Sequence, residues 1–277
     1  MNRIEGRYIS LLTDFGFKRI FGTKPNKDLL INFLNSLFEG FQVIKDVKYL
    51  NSEHVGDVFA ERKPIFDVYC ENEKGEKFIV EMQNASIFPI CEDAPKGADW
   101  NFKLDHVYIV ALLNFDLSEE AFDKDDINHD VGLLDKKTHK VFNDKLSFKY
   151  VEIAKFDKTE DELVTLYDKW LYVLKNLSRL DERPAALKEK VFTKLFEEAE
   201  IAKFTPTELK EYEDSLKAYR DVKNSIDTAL EKGREEGRAE SKNLKVIQIA
   251  KKMLAAGMDI DTVINMTDLS KSEIEKL

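Results

Sequence analysis

A chain of 277 residues, 43% hydrophobic and 35% charged, is long enough and apolar enough to bury a sizeable core in one or two domains. Its net charge of −10 excludes a protein that coats nucleic acid by overall charge, but not one that meets nucleic acid through a bound metal, which reverses the local sign. No apolar stretch approaches the roughly 20 residues of a membrane helix, and residues 1–12 carry no apolar signal core. Cys70 and Cys91 form no CxxC and the four histidines stand far apart, so neither a disulfide framework nor structural zinc is expected, and a reducing cytoplasm is.

In chain order, residues 13–21 read as a short helix closed by Gly22. Asn26 reads as an N-cap, after which Leu29, Leu30, Phe33, Leu34, Leu37 and Phe38 recur at helical spacing until Gly40 ends the helix as its C′ residue. Strands are expected at residues 43–50, 65–71, 77–83, 107–115 and 146–154. The stretch 107–113 is nearly all apolar, as in a strand covered on both faces. Helices mixed with such strands predict an α/β domain over residues 1–155.

Residues 156–230 read as helical, packed on or extending that domain. Thr159 and Glu162 form a capping box, followed by a stripe from Leu163 through Trp170 to Leu177, and Arg183-Pro184 breaks the chain. Leu187, Val191, Phe192, Leu195 and Phe196 stripe the next helix. Thr205 and Glu208 make a second capping box, with Pro206 at the first helical position. Leu209, Tyr212, Leu216, Tyr219, Ile226 and Leu230 then keep near-heptad spacing, interrupted by Lys223. They read as a helix lying on the domain, with a short coiled-coil seam as the alternative.

Residues 231–277 open with the charged run Glu231–Arg238, punctuated by Gly233 and Gly237, which reads as a linker helix or hinge. A helix over 244–256, a short helix over 259–265 and a last capped segment over 270–277 follow, as a small hairpin module with a helix-turn-helix flavour. In so acidic a chain that module is read as a partner-docking or dimer element rather than a DNA reader, so a homo-oligomer through the C-terminal helices is expected.

The chemistry is concentrated between Pro64 and Gln83. Two alternating segments flank a five-residue loop containing Gly75, which predicts a β-hairpin. A loop symmetric about Lys74 pairs Glu71 with Lys77, Tyr69 with Ile79 and Asp67 with Glu81, the last two with Cβ atoms about 5 Å apart. Gln83 falls on the same face, while Phe66, Val68, Cys70, Phe78, Val80 and Met82 form the core face. Like charges opposed in a sheet destabilise it, and Mg²⁺ or another divalent cation held by Asp67 and Glu81 removes the conflict. Such an ion activates a water and neutralises a leaving oxygen, with Gln83 placed to orient the water or the phosphate. The alternative is a solvated outer face. Lys18 with Arg19, Lys24 with Lys27, and Arg62 with Lys63 are the local basic candidates.

The segments Thr13-Asp14-Phe15-Gly16-Phe17-Lys18-Arg19-Ile20-Phe21-Gly22, Asn26-Lys27-Asp28-Leu29-Leu30, Phe66-Asp67-Val68 and Ile79-Val80-Glu81-Met82-Gln83 together resemble the recombination-promoting nucleases, also described as PD-(D/E)XK nuclease family transposases. Ile249–Leu254 and Leu269–Ile274 are similar to that family's tail, so the likeness spans most of the chain. The resemblance implies a restriction-endonuclease-like mixed sheet flanked by helices, an α-helical C-terminal extension, and magnesium-dependent DNA endonuclease activity linked to recombination or mobile elements. It implies Asp67 and Glu81 as metal ligands, Gln83 in place of the superfamily's lysine, and Asp14 and Lys18 near the site. One departure stands out: the family's long polar helix after E-x-Q is replaced by residues 84–106, broken by Pro89, Pro95 and Gly97. The alternative reading is therefore a catalytically degenerate member acting through protein association or DNA binding.

Overall fold

A computed structural model describes residues 6–50, 67–83, 106–117, 125–274 and 276–277. The expected strand start at Ile65, the basic pair Arg62-Lys63 and the segment 84–105 lie outside the described residues.

Helix α1 (Asp14–Phe21) starts where Thr13 Oγ1 accepts the Gly16 N–H at 3.1 Å, and it buries Phe17, Ile20 and Phe21. Helix α2 (Lys27–Leu37) buries Leu29, Leu30, Phe33 and Leu34, the stripe its periodicity predicts. Two details differ from expectation. The Asn26 side chain does not cap α2, because its Nδ2 donates to the Arg19 carbonyl at 3.1 Å. Gly40 (φ +78°) lies beyond the Phe38 cap, in a turn where Phe41 and Gln42 donate to the Phe38 carbonyl at 3.0 and 3.2 Å.

Strands β1 (Val47–Tyr49), β2 (Val68–Asn72), β3 (Lys77–Gln83), β4 (Val107–Leu113), β5 (Asn128–Leu134) and β6 (Val141–Glu152) form a six-stranded sheet in the order β1-β2-β3-β4-β6-β5. Strands β1, β2 and β3 pair antiparallel, β3, β4 and β6 pair parallel, and β5 returns antiparallel at the edge, so the sheet is mixed. Strand β5 is an edge strand whose Asn128, Asp130 and Gly132 turn to solvent while His129 is buried, so it alternates without an apolar stripe to mark it in the sequence. Strand β4 has both faces covered: Tyr108, Val110 and Leu112 on one, Ile109, Ala111 and Leu113 on the other, are each at most 4% exposed.

The first face, extended by Val68, Cys70, Phe78, Val80 and Val151, joins one cluster with Phe17, Phe21, Phe33, Trp170 and Phe192. Trp170, fully buried, donates its indole N–H to Asn32 Oδ1 at 2.8 Å. It comes from α3 (Leu166–Asn176), and Phe192 from α4 (Lys190–Glu198). The Thr159–Glu162 box caps only a single 3₁₀ turn; α3 has its own box, in which Asp168 and Thr165 exchange backbone-to-side-chain bonds of 3.0 Å.

The second predicted box is present, with the Thr205 N–H donating to Glu208 Oε2 at 2.8 Å, and it opens α5 (Pro206–Ala255). Tyr212 and Leu216 are buried in the sheet-bearing cluster, so this stretch lies on the domain, as read from its spacing. The run Glu231–Arg238 is uninterrupted helix rather than a break between two, and residues 244–255 are the last turns of α5. Gly257 (φ +82°) ends it, with Met258 donating to the Met253 carbonyl at 3.2 Å. Helices α6 (Ile260–Thr267) and α7 (Lys271–Ile274) follow. The chain divides into one compact unit reaching Val222 and a second over Lys223–Leu277, whose own cluster is Ala250, Val263, Leu269 and Ile274. Among the described residues no helix is long and apolar enough to cross a membrane.

Candidate active site

The hairpin folds in the expected register, with Glu71 opposite Lys77, Tyr69 opposite Ile79 and Val68 opposite Val80. The paired ladder ends at Val68 opposite Val80, with Asp67 immediately before it and Glu81 immediately after it. Asp67 is 14% exposed, and its Oδ2 accepts the Met82 N–H at 2.8 Å, a bond that fixes the carboxylate across the mouth of the hairpin. Glu81 is half-buried and pairs along the backbone with Ala111; Gln83 pairs with Leu113 at the C-terminal end of β3.

Helix α1 brings a second acid and a base to Asp67. Asp14 and Lys18 stand one turn apart, with Lys18 Nζ 2.5 Å from Asp14 Oδ1 and 3.6 Å from Asp67 Oδ1. Asp14 is also close enough to Asp67 to raise its carboxyl. Burial pushes the Asp67 carboxyl up to about 7; Asp14 adds to the rise, and the Met82 N–H and Lys18 oppose it. Two carboxylates thus share one ammonium group, and the buried one is short of positive charge. A divalent cation would supply what is lacking. The donors are hard oxygens, which suit Mg²⁺, an ion that keeps several waters and takes only one or two carboxylates from the protein. Among the described residues no three His, Cys, Asp or Glu side chains gather into a complete ligand set. The residues present therefore fit a Mg²⁺ whose shell is completed by water and phosphate oxygens, and not a fully protein-caged ion.

The position of Asp14 is set from a distance. The Phe15 N–H in the first turn of α1 donates to Ser215 Oγ at 3.0 Å, and the Ser10 N–H donates to Tyr212 Oη at 3.0 Å, so α5 holds the start of α1 at two points. Sequence reading assigns neither residue a part in the site: Tyr212 is legible only as a heptad apolar position, and Ser215 carries no local signal. A further cluster it passes over lies at the end of β6. Fully buried Glu152 accepts from Lys155 at 2.7 Å and from the Leu117 N–H at 2.6 Å, and it shares a 2.6 Å bond with His129. Burial would raise this carboxyl, but Lys155, Leu117 and His129 outweigh it and hold it below its ordinary value.

Of the basic candidates among the described residues, Lys18 alone joins the acidic group. Arg19 instead pairs with Glu208 at 2.5 Å and lies 4.2 Å over the Phe204 ring, and Lys27 pairs with Asp46 at 2.5 Å. Phe17 and Phe21 are fully buried, as aromatic residues at that spacing usually are.

Residues 11–229 match the family model described as PD-(D/E)XK nuclease family transposase. Residues 243–277 match that of the Rpn/YhgA-like nuclease family, C-terminal HTH domain. No curated protein and no solved structure matches the chain. The second match agrees with the helix-turn-helix flavour read in residues 231–277 and leaves the docking or dimer expectation untouched. Helices α6 and α7 are short and carry both charge signs, so no basic face announces a DNA reader there.

Proposed function

This chain belongs to the PD-(D/E)XK nuclease family transposases, and we propose that it is a metal-dependent DNA endonuclease that hydrolyses phosphodiester bonds, linked to recombination or mobile elements. The observation that carries this reading is the buried Asp67 carboxylate, fixed by the Met82 N–H at the hairpin mouth beside Asp14 and Lys18. Asp67 and Glu81 are the residues that would hold Mg²⁺ or another divalent cation. When bound, such an ion lowers the pKa of a water and neutralises charge developing on a phosphate. The hairpin pre-orders the two carboxylates, because the Asp67 rotamer is locked before any ligand arrives. Asp14 keeps Lys18 extended toward the site, where the ammonium can donate to a phosphate oxygen as a compact point charge. Gln83 supplies a neutral amide to orient the attacking water, and DNA is the partner that a helix-turn-helix domain implies.

Supercoiled plasmid incubated with the purified chain and Mg²⁺ tests this directly. Nicking should stop in EDTA. It should also fall by at least about 100-fold in Asp67→Ala and Glu81→Ala, the upper range for losing a group that merely orients a ligand. Equal nicking by all three proteins refutes the assignment. Unchanged plasmid together with a mobility shift instead supports a degenerate member that binds DNA without cutting it.

A further inference from the structure

We propose that the middle of α5 is a phosphate-binding surface, distinct from the hairpin site and running into the first residues of the helix-turn-helix match at Lys245, which holds the backbone of duplex DNA without reading its sequence. Arg234, Gly237, Arg238, Ser241, Lys242 and Lys245 line one shallow groove on this helix. At about 100° per residue, Arg234, Arg238, Lys242 and Lys245 fall within roughly a quarter turn of one another over about 16 Å of helix axis. All four are exposed, and none forms an ion pair with a described residue. Gly237 and Ser241 form the floor. A Cβ at Gly237 would meet nothing within 4 Å, so the helix backbone is approachable between the basic side chains.

The chemistry of this stripe selects its partner. A duplex presents a negative charge every 1.7 Å or so along its axis, so roughly ten phosphates face the length the groove covers. Membranes are the other common polyanion, but surface-lying helices need large apolar residues opposite their basic face. Residues 231–245 contain a single one, Leu244, too little for a membrane-seated face. The stripe is also about a third of a turn away from Val246, Ala250 and Leu254, which pack toward α6 and α7, so a duplex on it does not compete with the fold of the terminal module. Phosphate contacts of this kind fix position and register and leave sequence to other elements.

The inference rests on the DNA-directed reading of the chain, but its test omits metal, so failure to cut and failure to bind remain separable. Anisotropy of a labelled mixed-sequence duplex of roughly 30 base pairs, titrated with full-length chain in EDTA across about 50 to 200 mM salt, gives the affinity and its salt slope. Neutralising the stripe with Arg234→Gln, Arg238→Gln, Lys242→Gln and Lys245→Gln should weaken binding at least about tenfold at the low-salt end and flatten the log–log slope by about 3.6, four contacts at about 0.9 each. Glutamine retains helix propensity, and circular dichroism verifies the fold. The matched control Lys190→Gln, Lys210→Gln, Lys217→Gln and Lys232→Gln makes the same charge change away from the stripe and from the helix-turn-helix match, and should leave the slope intact. Restoring charge with Arg234→Lys and Arg238→Lys should preserve binding. Equal slopes for wild type and the stripe variant, equal losses in stripe and control variants, or binding to phosphatidylserine vesicles in place of the duplex would each overturn the proposal.

Discussion

Gly16 sits where α1 presses closest to the turn before it: a Cβ there would meet the Ser10 carbonyl oxygen at 2.1 Å and Thr13 Oγ1 at 2.9 Å. Backbone cannot yield as a flexible side chain can. Gly16→Ala should cost about 1–3 kcal/mol, the range for forcing extra carbon into a packed site, read from the shift in a denaturant midpoint. Because Asp14 is two residues away, the same variant should also reduce plasmid nicking. A second residue-scale prediction concerns the 3.0 Å bond from the buried Ser10 N–H to Tyr212 Oη. Tyr212→Phe leaves that donor without its partner, at a cost of about 1–3 kcal/mol by the same measurement. The hairpin register from Glu71–Lys77 to Val68–Val80 was legible because a symmetric five-residue loop fixes it, and the nearness of Asp14 and Lys18 to Asp67 followed from the family resemblance. Ser215 and Tyr212 were not, since their contacts with α1 join residues about 200 positions apart with no periodic or motif signal.

Among the elements, the start of α5 is the one whose chemistry is readable in pH. Glu208 accepts from the Thr205 N–H and pairs with Arg19, and the Thr205 N–H first, then Arg19 and the Thr205 hydroxyl, hold its carboxyl down at about 2. A carboxyl depressed in the folded state stabilises it above the ordinary value of about 4.5 and loses that contribution as pH falls toward 2. Glu208→Gln should therefore lower Tm near pH 7, with the difference shrinking as acid is added below about pH 4.5; a gap that persists at low pH contradicts the pairing. Helices α1, α2 and α4 and strands β3 and β4 followed from apolar periodicity, because each has a core-facing stripe. Strand β5 did not, since its exposed face carries Asn128, Asp130 and Gly132 and its covered face begins with a polar residue, His129, leaving no apolar stripe. The continuity of α5 was hidden by Gly233 and Gly237, each of which lowers helix propensity by about 1 kcal/mol relative to Ala without preventing a helix.

At the scale of the molecule, a chain of net charge −10 confines any attraction for DNA to local devices: the terminal helix-turn-helix module and, as proposed, the hairpin once it holds a cation and the basic stripe on α5. An assembly through the C-terminal helices, the remaining expectation from sequence, is read by light scattering on the full chain. A mass of about twice 32.1 kDa supports it and the single-chain mass removes it. The central claim is that Asp67 and Glu81 share one divalent cation. Anything that binds the folded state and not the unfolded one raises Tm with its concentration, so the decisive measurement is Tm against Mg²⁺ for wild type, Asp67→Asn and Glu81→Gln. The account predicts a rise with Mg²⁺ in the wild type and a flat response in both folded variants. The same rise in all three, or none in the wild type up to the concentrations that support nicking, contradicts it.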